Sequence, residues 1–228
     1  MTTRKTLLLG AALSLLLSGS LATFAQPAKL PADLDSGSRA RLPYLQRKDV
    51  TDEADQKMFD IFDRSPGRSP DDAFSGPLAF AAYNLPVAHA LLALHDGAVG
   101  KGTLNEHVRE LAILVACRET DYSLEWNGHE QAALKAGVDP KVIDAVRHDS
   151  ALAGIDEKDA AVIRFGRELL GDRKMDSATF AKAVGLFGQH GAMDLVAVMS
   201  TYAISGFYAI AVDEHMPTGQ PMLEPRAK

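Results

Sequence analysis

LNEHVRELAILVACRETDYSLEWNGHEQAALKAGV, residues 104–138, is the stretch that decides the fold. Thr103 just before it, with Leu104-Asn105-Glu106, fits a capping box: a threonine and a glutamate three residues on satisfy each other's free helix-end groups. The helix that follows is expected to run to about Arg118, through the unbroken apolar run Leu111 to Cys117. Asp121 has the short acceptor side chain of an N-cap, for a second helix through Ala136. Gly137 then stands where a helix closes in the left-handed conformation. Glu125 and His129 are spaced i, i+4, so they share a face of the second helix and can hydrogen-bond. Glu110 lies on the first helix, and a hairpin of the two would bring it to that pair.

The same grammar extends outward. Leu85 to Ala98 places Val87, Leu91, Leu94 and Ala98 on one helical face, with Gly97 and Gly100 at its end. Asp139-Pro140 starts a short helix to about Arg147, with proline at the first position. Asp156 can cap 157–170, closed by Gly171, and Asp176 or Ser177 can cap 178–188. Met193 to Val212 is a long helix apolar on more than one face, as for a helix at a bundle centre or a subunit interface. Met58, Phe59, Ile61 and Phe62 recur at helical spacing in 53–64, before the break Ser65-Pro66-Gly67-Arg68-Ser69-Pro70; residues 71–84 read as a short helix or a loop. No stretch alternates with period two between hairpin turns. The expectation is an all-α protein of about eight helices, with a helical domain over 53–228 and its core motif at 84–170.

The N-terminus reads differently. Arg4 and Lys5 precede the apolar run Leu7–Leu17, and Thr23-Phe24-Ala25 precedes Gln26-Pro27. That is the pattern of a secretory signal peptide over residues 1–25, and the run is about half the ~20 residues a spanning helix needs. A periplasmic or secreted mature protein is expected, with no membrane contact after cleavage. Residues 26–52 lack apolar periodicity and read as an extended arm. The formal charge is −6 for the full chain, and loss of Arg4 and Lys5 makes it more negative. An acidic chain without a basic run argues against nucleic-acid partners. The single cysteine, Cys117, cannot close an intramolecular disulfide, and its neighbours suggest a small buried hydrophobe. His129-Glu130 is no zinc motif, because position 133 is alanine. No phosphate loop, nucleophile elbow or dinucleotide fingerprint is present, so neither a metal nor another cofactor is expected.

The segments Arg109-Glu110-Leu111-Ala112-Ile113-Leu114, Tyr122 to His129 and Ala136-Gly137-Val138 together resemble the carboxymuconolactone decarboxylase/alkylhydroperoxidase D (AhpD)-like superfamily. Its members commonly show an "REL-ILxxA" helix, a "YEWxxH"-type helix and then "A-x-x-A-G-(V/L)". The pattern is close over residues 104–147 and looser outside, where Phe187-Gly188 and a late apolar helix with Tyr202 also resemble the family. The resemblance implies an AhpD-like helical bundle and assembly into a homo-oligomer, a trimer or hexamer. It matches the family's proton-relaying glutamate to Glu110 and its histidine to His129. The redox branch carries Cys-x-x-Cys before the histidine, and those positions fall here on Tyr122 and Glu125.

Three functions remain open on these residues. In the first, Glu110, Glu125 and His129 are the catalytic groups of a cofactor-free acid–base enzyme acting on a small carboxylated or carbonyl compound. Tyr122 and Trp126 would bind substrate, with Tyr122 donating to a developing oxyanion. The named activity implied by the resemblance is lactone decarboxylation with double-bond migration. The second is a peroxide-reducing, peroxiredoxin-type antioxidant protein, which would have to use Cys117 alone. The third is a non-catalytic oligomeric protein that binds small molecules.

Overall fold

The computed structural model describes residues 31–62 and 75–224. The expected signal peptide and the expected break at 65–70 lie outside them. Among the described residues there are helices and no strands: α1 (Glu53–Phe62), α2 (Leu85–Gly100), α3 (Glu106–Glu119), α4 (Ser123–Lys135), α5 (Pro140–Arg147), α6 (Glu157–Gly166) and α7 (Ser177–Val212). Gly188 interrupts α7 with φ 72° and ψ 173°. A side chain there would strain the backbone, whereas glycine adopts this conformation freely. The two halves of α7 are thus the two separate helices that the sequence predicts, which makes eight. By length and composition α7 could cross a membrane, yet more than half of its most apolar window is buried in the bundle.

α3 is the axis. Leu111 to Cys117 are all at most 1% exposed, because α4, α6 and α7 pack around this helix on different sides and α5 closes the rest. A helix apolar all round has no solvent face to keep. Each fully buried leucine or isoleucine contributes roughly 1.5–3 kcal/mol. The close approach of α7 to the end of α3 depends on Gly206. A Cβ at that position would lie 2.4 Å from Thr120 Oγ1 and 2.6 Å from its Cβ.

Several caps are as the sequence predicts. Asp139, Asp156 and Asp176 accept from the backbone N–H of Lys141, Lys158 and Ala178, and Gly137 is left-handed at φ 84°. Two differ. The N-cap of α3 is Asn105, whose side chain accepts from Val108 N–H. Thr103 instead gives both its backbone N–H and its hydroxyl to Asp194 of α7, each at 2.6 Å. A long-range carboxylate offering two bonds outcompetes the local box. Asp121 does not cap α4; it is left-handed (φ 50°) and pairs with the buried Arg118 at 2.8 Å, leaving Tyr122 as the N-cap residue.

The face expected on α2 is also only partly the buried one. Ala98 is inside, but Val87 and Leu94 are 38% and 40% exposed, while Leu85 and Ala88 face the core. In a helix this apolar throughout, periodicity does not single out one side. Residues 79–83, left open between helix and loop, form a 3₁₀ turn, Ala79–Tyr83. The described part of 26–52 consists of turns with a 3₁₀ turn at Arg47–Asp49, and it is fastened to the bundle. Arg41 N–H donates to Val212 C=O at 2.7 Å, His215 N–H donates to Arg39 C=O at 3.0 Å, and Ala40 is fully buried with Phe80 and Val212.

Candidate active site

The α3–α4 hairpin brings Glu110, Glu125 and His129 together. His129 Nδ1 donates to Glu110 Oε2 at 2.7 Å, and its Nε2 pairs with Glu125 Oε2 at 3.3 Å. The carboxylates are buried, and the imidazole is about a fifth exposed. Burial alone would depress the His129 pKa. The hydrogen bonds and charges of Glu110 and Glu125 override it and push the pKa up to about 9. His129 is therefore an imidazolium at neutral pH, donating from both nitrogens to two carboxylates on opposite sides. Arg109 Nε stands 3.7 Å from the far oxygen of Glu110, outside hydrogen-bond length.

Glu125 is the member of this relay that lines a cavity, a space of about 180 Å³ between α2, α4, α7 and the segment before α2, whose walls include Pro77, Leu78 and Leu92. Tyr202 from α7 supplies the polar ceiling. Its ring stands edge-on to His129 with centroids 4.9 Å apart, and its hydroxyl lies 3.5 Å from His95 Nε2. Burial first, and then the charges of Glu125 and Glu110, raise the Tyr202 pKa. The phenol thus keeps its proton and can donate it. Thr201 also lines this space, but its hydroxyl is committed to Ala197 C=O at 2.7 Å.

The other two expected site residues lie elsewhere. Tyr122 lines a larger cavity of about 430 Å³, where its hydroxyl donates to Glu214 Oε2 at 3.2 Å and Tyr44 donates to the other oxygen at 3.4 Å. Burial raises the Glu214 pKa, while the two phenol hydrogen bonds offset part of that rise. Trp126 is fully buried and lines neither cavity. Its indole N–H donates to Glu130 at 2.9 Å, Glu130 pairs with Arg147, and the Arg147 guanidinium lies 4.9 Å over the indole ring. One residue along a helix is a 100° turn, so Glu125 inward to the cavity means Trp126 toward α5.

Tyr202 and His95 are the groups that sequence reasoning missed as site residues. Tyr202 was legible only as part of the family pattern; the signal in the residues themselves is one polar-tipped aromatic in an apolar helix of small residues. Cys117 is completely buried, and burial, reinforced by Glu125 and Glu110, holds its thiol well above the ordinary range. Such a thiol is a poor nucleophile, because the thiolate is the reactive form. Among the described residues no group of three His, Cys, Asp or Glu is arranged to hold a metal ion.

Comparison with solved structures gives a chain described as "Crystal Structure of the Debrominase Bmp8 C82A in Complex with 2,3,4-tribromopyrrole". It is 13% identical, with a TM-score of 0.54 over 76% of this chain and 90% of that one. At this identity the likeness is one of fold. No curated protein sequence matches the chain significantly. The family model that matches is that of the Carboxymuconolactone decarboxylase family, over residues 86–166, the span that contains α3, α4 and all three members of the relay. Through these residues, 86–166, the chain matches the carboxymuconolactone decarboxylase family model.

Proposed function

We propose that the protein is a cofactor-free acid–base enzyme, with Glu125 as the group that takes a proton from carbon next to a carbonyl in a small substrate. The observation that carries this reading is the Glu110–His129–Glu125 relay with Glu125 lining the cavity. Glu110 fixes the imidazole through Nδ1. The imidazolium at Nε2 orients Glu125 and balances its charge. Tyr202 sits in the same cavity with a phenol that keeps its proton, so it is the donor for the oxygen on which negative charge develops. A base on one side and a donor on the other are the two parts that enolisation requires. Tyr122, committed to Glu214 in the larger cavity, has no place in this step. Double-bond migration of the kind named for the family proceeds through the same proton abstraction and return.

Peroxide reduction through Cys117 is disfavoured by the burial of its thiol. A purely binding protein would share the cavity but has no need for a charged relay behind it.

The test is deuterium incorporation next to the carbonyl of small cyclic ketones, enones and lactones in D₂O, followed by NMR. The wild-type chain should exchange at least one of them, and Glu125→Gln should lose about 10²- to 10⁴-fold of that rate with its helical circular dichroism unchanged. Exchange that survives intact in Glu125→Gln would remove the glutamate from the reaction. No exchange with any compound that binds would favour the binding protein.

A further inference from the structure

We infer that the cavity beside Glu125 selects uncharged, single-ring carbonyl compounds and rejects their carboxylated counterparts, with Glu125 as the residue that sets this preference. The inference rests on the proposed site and goes on to name its ligand class.

Three observations carry it. The first is size: about 180 Å³ is the scale of a cavity that takes one benzene-sized ring, with room for a small substituent. The second is lining. Pro77, Leu78 and Leu92 give apolar walls, and among the described residues no lysine or arginine lines the space. The third is charge. The ionic group on the wall is the Glu125 carboxylate. The His129 imidazolium lies between Glu110 and Glu125, and Arg109, 3.7 Å from Glu110, does not line the cavity. His95, the remaining basic side chain of the cavity, has its Nδ1 3.7 Å from Asp96 and its Nε2 beside Tyr202.

A ligand carboxylate would therefore enter an apolar space opposite an existing carboxylate, with no lysine or arginine among the described lining residues to meet it. Like charges a few ångströms apart at a partly buried site repel strongly enough to weaken binding by about a hundredfold or more. A ligand carbonyl faces no such penalty and can accept from Tyr202.

The experiment uses three probes of one ring: cyclohex-2-en-1-one, 3-oxocyclohex-1-ene-1-carboxamide and 3-oxocyclohex-1-ene-1-carboxylate. The amide and the acid match in size and differ in charge. Dissociation constants come from NMR titration at pH 7 and low salt. The enone and the amide should bind, and the acid should bind at least thirtyfold more weakly than the amide. Glu125→Gln should shrink that gap to less than about threefold. Leu92→Trp, which fills the cavity, should abolish binding of the amide.

Equal binding of acid and amide by the wild-type chain would overturn the inference, as would a gap that persists in Glu125→Gln, binding that survives Leu92→Trp, or binding of none of the three. The wild-type comparison stands even if a variant misfolds. Discrimination without deuterium exchange would overturn the catalytic reading alone, and exchange without discrimination would overturn the charge selection alone.

Discussion

Raising the pH should loosen this protein through one side chain. His129 titrates at about 9 in the folded chain against an ordinary value of 6.5. The folded state thus holds a proton that the unfolded chain has already released throughout that interval. A raised folded pKa gives stability that is fully present below pH 6.5, falls with each pH unit from there, and is gone above about pH 9. The interval corresponds to roughly 3 kcal/mol. The imidazole is about a fifth exposed, so solvent screening takes little from that figure. For a domain near 200 residues, this is a melting temperature lower by roughly 6–12 °C at pH 9.5 than at pH 6. The assay is scanning calorimetry or thermal circular dichroism across pH 6–9.5 on the wild-type chain and on His129→Gln, whose difference isolates this residue from every other titration. Glu110→Gln removes the negative charge of the 2.7 Å acceptor and should shorten the window from its alkaline end. Parallel wild-type and His129→Gln curves would refute the reasoning, since they would mean that the imidazole holds no extra proton in the fold.

Gly206→Ala places a methyl group 2.4 Å from Thr120 Oγ1 and should lower stability by about 1–3 kcal/mol in denaturant titration; an unchanged midpoint would show that α3 and α7 can part freely. Cys117→Ser should leave any peroxide consumption unchanged, and Ellman's reagent should reach the native thiol only on unfolding. We also propose a homo-oligomer, a trimer or hexamer, because Phe207 and Ile210 are 60% and 59% exposed on α7 while Val87 and Leu94 are exposed on α2. Light scattering should give a dimer or larger for the wild-type chain and a smaller species for Phe207→Asp; a wild-type monomer at micromolar concentration would contradict it.

The relay was legible because its geometry is local. Glu125 and His129 are four residues apart on one helix, and Glu110 comes from the helix just before. Helix periodicity and one turn are enough to place all three. What escaped is what the rest of the chain decides. The cap at Asn105 depends on Asp194 drawing Thr103 away from across the bundle. Tyr122 reads as a site donor until Tyr44 and Glu214, from opposite ends of the chain, claim the space around it. Trp126 beside a site glutamate invites a role in the pocket, but Arg147 and Glu130 give it a packing partner and an acceptor elsewhere. The face of α2 was misassigned because alanine, leucine and valine occupy all of its sides.

The hairpin origin of the relay also divides the protein's inheritance in two. The proposed proton-handling groups span 20 residues of sequence, from Glu110 to His129, whereas the walls around Glu125 come from the segment before α2, from α2 and from α7. Substitutions at Leu78, Leu92 or Tyr202 can therefore remodel what is admitted while the hairpin passes on intact. If the proposed chemistry holds, laboratory evolution toward a new substrate should collect its first gains at those distant walls.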